Sequence, residues 1–175
     1  MESARIVALS VLAAVVYGIA HDLVTAHVCV EYFTVFHPRI IESQSPVALA
    51  LAWGVVATWW VGLPLGVLLA VAARVGRAPK RSARELVRPI AVLLGAMGAC
   101  SLAAGLAALS VSPEGVEFLA GGIARKLPRE HRVAFLADLW AHSASYLAGI
   151  VGGLFLVAWV ARRRRRDGRA LQSAA

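Results

Sequence analysis

The residues best suited to chemistry are five histidines, His21, His27, His37, His131 and His142, together with the carboxylates near them. His27 and Glu31 are spaced i, i+4, and so are Asp138 and His142. Side chains four apart share one helix face. Two imidazoles and two carboxylates form a ligand set for zinc, iron or manganese rather than for a soft metal. His21-Asp22 adds a third pair, supported by Thr25 and Tyr17 on the same stretch and by Tyr146 one turn beyond His142. Asp22 can orient His21 through a hydrogen bond or take a cation itself. His37 and His131 fall in loop or helix-start positions, outside these pairs. No phosphate-binding glycine loop, nucleophile elbow or H-E-x-x-H motif is present, so the common hydrolase classes lack support and no reaction is assigned.

Four apolar stretches position these residues: 6–20, 47–73, 90–111 and 139–161. The chain is 59% hydrophobic with a mean hydropathy of +0.72. Soluble domains seldom exceed about half apolar residues, and a membrane-crossing helix needs roughly 17–25 of them. The reading is an all-α, four-helix transmembrane bundle in one domain, residues 1–166. Its spans are expected at about 5–30, 47–73, 89–111 and 138–161, with a disordered tail over 167–175. The apolar pattern continues past Ala20, so the first stretch reads as a span rather than a cleaved leader. The first and fourth helices are overlong, running to Phe36 and starting near Pro128, so both extend beyond the membrane on one side. Gly62–Gly66 around Pro64 predicts a kink in the second span. Pro89 predicts the start of the third, and Gly95, Gly98 and Gly105 predict close helix contacts. Gly149, Gly152 and Gly153 give the fourth span a small-residue face, and such faces allow oligomerisation. Residues 114–126 read as a short interfacial helix.

Charge orients the bundle. Net charge is +8, and 13 of the 18 Lys and Arg residues are Arg5, the loop residues Arg74, Arg77, Lys80, Arg81, Arg84 and Arg88, and Arg162 to Arg166 with Arg169. Short cytoplasmic segments carry such an excess. Both termini and the middle loop are therefore expected inside a bacterial plasma membrane. Arg74, Arg77, Lys80, Arg81, Arg84, Arg162, Arg163 and Arg164 are expected to contact anionic lipid headgroups. Membrane lipids, not nucleic acid, are the partners this basicity implies. At 1.5 Å per residue, His27 and Glu31 stand about 33 and 39 Å above Arg5, and His142 and Asp138 about 30 and 36 Å above Arg162. The two pairs meet at equal height on the outer side.

Tyr17-Gly18-Ile19-Ala20-His21-Asp22-Leu23-Val24-Thr25, continuing to Glu31-Tyr32-Phe33-Thr34, resembles uncharacterised bacterial multi-pass membrane proteins with a Y-G-x-x-H-D-x-x-T then E-Y-F-T signature. The stretch 137–146, with Asp138, His142 and Tyr146, is a second match. The resemblance implies a membrane protein and these positions, but no activity. Three readings stand on the sequence: a polar site on the outer face binding a divalent metal, a structural or assembly protein whose polar residues lock helices together, and an ion or proton transporter. The inner halves of the spans lack acids and histidines, which disfavours the last.

Overall fold

A computed structural model of the chain describes residues 1–173, and it is all α. Its helices are α1 (Glu2–Val28), α2 (Pro46–Val56), α3 (Trp59–Arg74), α4 (Ala83–Ala108), α5 (Pro113–Ala120) and α6 (Arg132–Ser173). Four segments are long and apolar enough to cross a membrane: α1, α2 with α3, α4, and Arg129–Ser173 containing α6. Together they form the expected four-helix bundle of a membrane protein.

Helix α1 stops at Val28 instead of continuing to Phe36. Cys29 is extended (φ −150°, ψ 98°), and the chain resumes in a π-helical turn, Tyr32–Phe36. Neither Gly nor Pro marks this break. Its cause is tertiary: Tyr32 and Phe33 turn inward and are buried in a cluster with Ala26, Leu49, Leu127 and Phe135. Burying each aromatic ring stabilises the fold by roughly 2 kcal/mol, more than the roughly 1 kcal/mol of a helical hydrogen bond given up. Side chains recover part of that loss. Thr34 Oγ1 donates to the Val30 carbonyl (3.1 Å), and the His37 ring nitrogen Nδ1 meets the Tyr32 carbonyl (2.9 Å).

The second span is interrupted at Ala57–Thr58, ahead of the expected Gly62–Gly66 kink, and Pro64 is carried inside α3. The glycines of this span lie against α1. A Cβ on Gly54 would stand 2.6 Å from the Ile19 backbone, and one on Gly62 2.9 Å from the Ser10 carbonyl and Val11 Cα. On α4, Gly95 and Gly98 have no neighbour within 4 Å and Gly105 makes only ordinary contact, so the close packing expected there lies instead between α1 and the α2–α3 span. Helix α4 begins one and a half turns before Pro89. Ser82 and Glu85 cap it reciprocally, Ser82 Oγ accepting from the Glu85 amide and the Glu85 carboxylate from the Ser82 amide. Such a capping box fixes a helix start wherever the backbone N–H groups need partners. Residues 113–126 form α5 and a 3₁₀ turn, Gly121–Lys126.

Helix α6 runs through its arginines to Ser173. Residues 167–173, expected as disordered tail, are helical, and 174–175 lie outside the described residues. The helix extends because its basic end is docked. Arg81 pairs with Asp167, and Arg164, 3% exposed, donates to the carbonyls of Ala72, Val75, Ala78 and Pro79. Arg164 therefore closes the α3–α4 loop and the end of α3, and is not the headgroup contact expected of it. Arg81 and Arg74 are also engaged within the loop, Arg74 donating to the Arg81 carbonyl (3.2 Å). Arg77, Lys80, Arg84, Arg162 and Arg163 are exposed.

Candidate metal centre

Helices α1 and α6 meet at the end of the bundle opposite these arginines, and their polar residues face each other there. His21, Asp22 and His142 form a group in which one ligand atom from each lies within 4.8 Å of the others. Asp22 and His142 are buried, and His21 is partly so. The His142 Nδ1 sits 2.8 Å from the Asp138 backbone carbonyl, one turn back. A carbonyl only accepts, so Nδ1 carries the proton. In a neutral ring Nε2 is then a bare acceptor, and it faces Asp22 Oδ1 at 3.3 Å. Two acceptors at that distance repel unless a proton or a cation lies between them.

His21 repeats the pattern. Its Nδ1 is 3.4 Å from Ser101 Oγ on α4, and its Nε2 is buried with no hydrogen-bond partner. His142 is thus tied through Nδ1 with Nε2 facing Asp22, and His21 contacts Ser101 through Nδ1 and has an unpartnered Nε2. Metal-bound histidines characteristically donate their second nitrogen to a carbonyl or another fixed acceptor, which sets the tautomer and ring orientation.

On one side of the centre is a cavity of about 80 Å³, walled by Tyr17, Tyr32, Phe33, Thr58, Ser145 and Tyr146. One water needs roughly 10–15 Å³ by this measure, so a few waters or a small ligand fit. Tyr32 stacks on the His142 ring at 4.3 Å, and Phe33 meets it edge-on at 5.8 Å. The break at Cys29 makes this cover possible, because a straight α1 would carry both aromatics away from the bundle. Tyr17 and Ser145 share a 2.8 Å hydrogen bond across α1 and α6. On the other side, an apolar groove of about 390 Å³ between α1, α4 and α6 reaches His21, Tyr17 and Asp138. His21 and Tyr17 therefore form the wall between cavity and groove.

The expected quartet is not brought together as one group. His142 joins the centre. Asp138 lies one turn away, 1% exposed, with Oδ2 unpartnered. His27 is exposed, its Nδ1 bound to the Leu23 carbonyl of its own helix (2.6 Å). Glu31, past the break, accepts from the Cys29 thiol (3.3 Å) and pairs with His131 (2.7 Å). Burial would raise the Glu31 pKa, but its backbone amide, Cys29 and His131 hold it below the ordinary carboxylate value. Burial and the Glu31 hydrogen bond push the Cys29 thiol up to about 12, so it is not a thiolate ligand at neutral pH. His21, Asp22, Tyr17 and Tyr146 do gather at the cavity. Thr25 is buried nearby and bonds the His21 carbonyl (3.2 Å).

Ser101, Ser145, Tyr32, Phe33 and Thr58 complete the surroundings; Tyr32, Phe33 and Ser145 fall within the two signature stretches, whereas Ser101 and Thr58 stand outside them. Ser101 and Ser145 had a usable signal, since a hydroxyl inside an apolar span needs a partner. No protein-family model, curated protein or solved structure matches this chain.

Proposed function

We propose that this membrane protein holds one divalent metal at His21 Nε2, His142 Nε2 and an Asp22 carboxylate oxygen, with a fourth position facing the cavity. The observation carrying the proposal is the grouping of one nitrogen from each of His21 and His142 with an Asp22 carboxylate oxygen, all within 4.8 Å of one another. Ligands at about 2.0–2.1 Å around a tetrahedral ion stand about 3.3 Å apart, which matches the 3.3 Å His142–Asp22 separation. The donor set suits zinc, iron or manganese. Charge supports the same reading. Asp22 and Asp138 are both buried, and among the described residues the one buried guanidinium, Arg164, lies 26 positions beyond Asp138 along α6, about 39 Å away. A divalent cation would balance two carboxylates that burial otherwise makes costly. Three protein ligands and an accessible position are the pattern of a reactive rather than a structural zinc site. The basic end supports an orientation with both termini in the cytoplasm of a bacterial cell and the centre toward the outer face of its plasma membrane. The exposed basic residues there would meet anionic headgroups.

A second reading has a specific observation behind it. The Tyr17–Ser145 hydrogen bond already joins α1 to α6, and Asp22 carrying a proton could join His142 to them as a purely structural lock. Thermal unfolding of detergent-purified protein with and without chelator separates the two. Metal at 100 times its dissociation constant stabilises by about 2.7 kcal/mol, and chelation removes this. Unchanged unfolding in chelator would support the lock.

A further inference from the structure

At the basic end, a groove of about 580 Å³ lies between α4 and α6. Its length is apolar, lined by Val92, Leu93, Phe155 and Trp159, and its mouth holds Arg88 and Arg163. Gly152 admits Leu93 where a Cβ would stand 2.4 Å from Leu93 Cδ1, so the two helices meet closely within the groove wall. We infer that this groove is a specific site for one anionic phospholipid, its phosphate held between Arg88 and Arg163 and an acyl chain lying along Val92 and Phe155.

Charge complementarity carries the argument. Among the described residues, neither Arg88 nor Arg163 forms an ion pair, whereas their neighbour Arg81 is taken up by Glu85 and Asp167. Glu85, the one acid at the mouth, is already occupied by Arg81 and by the Ser82 amide and hydroxyl. It offers little repulsion to a phosphate. The Arg163 guanidinium lies over the Trp159 ring, 5.2 Å from its centre, which holds the charge at the groove mouth. Guanidinium forks bind phosphate oxygens in pairs, and two of them on adjacent helices define a position rather than a diffuse field. Val92 and Phe155 are 66% and 67% exposed, a surface that acyl chains must cover in a bilayer. From Arg163 to Gly152 the α6 wall runs about 16 Å, enough to align much of one chain.

The test is native mass spectrometry of the full chain released from detergent, with palmitoyl-oleoyl phosphatidylglycerol, phosphatidylcholine or inorganic phosphate added. One phosphatidylglycerol should be retained, in preference to phosphatidylcholine and undisplaced by phosphate. R88Q/R163Q should weaken it about tenfold or more, since hydrogen bonds to charged groups contribute about 1.5–3 kcal/mol. V92W, which fills the groove without changing charge, should do the same and carries the test if the arginine variant fails to fold. R39Q, at the opposite end of the bundle, should leave binding unchanged. Equal retention of both lipids, displacement by phosphate, equal loss in R39Q, or undiminished binding in V92W would each overturn the site.

Discussion

At the scale of single residues, the chemistry of this chain depends on which nitrogen of each histidine is engaged. The sequence showed the residue types and the i, i+4 spacing. It could not show that His27 spends Nδ1 on its own helix while His21, one and a half turns earlier, keeps Nε2 free. Equal height on two helices suggested His27 and Glu31. Azimuth around the helix decides which residue meets α6, and the break at Cys29 removes Glu31 to another partner. The Glu31–His131 pair has a pH signature of its own. Glu31 is held below its ordinary pKa, so it adds stability above that ordinary value, and the contribution is lost as pH falls through the lower folded value. Detergent-solubilised His131→Ala should therefore lie closer to the parent in acid than at pH 7 when unfolding is followed by circular dichroism. A constant difference across that range would remove the linkage. Cys29, with its thiol pushed up to about 12, should resist maleimide at pH 7.5 in folded protein and react after unfolding, as read by mass shift.

At the scale of elements, the spans were legible because apolar length is a property of composition, while their interruptions were not. Pro64 and Pro89 drew the expected kink and start, yet α3 and α4 carry both prolines internally. The Cys29 break follows from packing partners that are distant in sequence. The glycines make the same point: their use depends on what stands opposite. Gly54→Leu should drive a side chain into the Ile19 backbone and lower stability by about 1–3 kcal/mol or prevent folding, while Gly95→Leu should be nearly neutral. Thermal melts of the two variants in the same detergent check this, and equal losses would refute the assigned interface. Arg164→Leu leaves the Ala72, Val75, Ala78 and Pro79 carbonyls without their donor. It should cost about 1.5–3 kcal/mol and speed proteolysis in the α3–α4 loop, whereas exposed Arg162→Leu should do neither.

At the scale of the molecule, the bundle separates two chemistries by its length. One end gathers arginines that close a loop, dock α6 and leave Arg88 and Arg163 beside an apolar groove. The other joins α1, α4 and α6 around His21, Asp22 and His142 under a cover of Tyr32 and Phe33. The sequence made this polarity plain, since acids and histidines sit at one end and most basic residues at the other. It did not make plain the cavity, which exists because the chain turns back at Cys29. At its outer end the bundle is proposed to hold a metal between His21, His142 and Asp22. The most direct test is metal stoichiometry in detergent-purified protein reconstituted with zinc, iron(II) or manganese(II), for the parent, His142→Ala, Asp22→Asn and His27→Ala. The account predicts one tightly held ion per chain in the parent and in His27→Ala, and loss of that ion in the other two. A parent that retains far less than one ion per chain with every metal, or variants at positions 22 and 142 that retain as much as the parent, would contradict it.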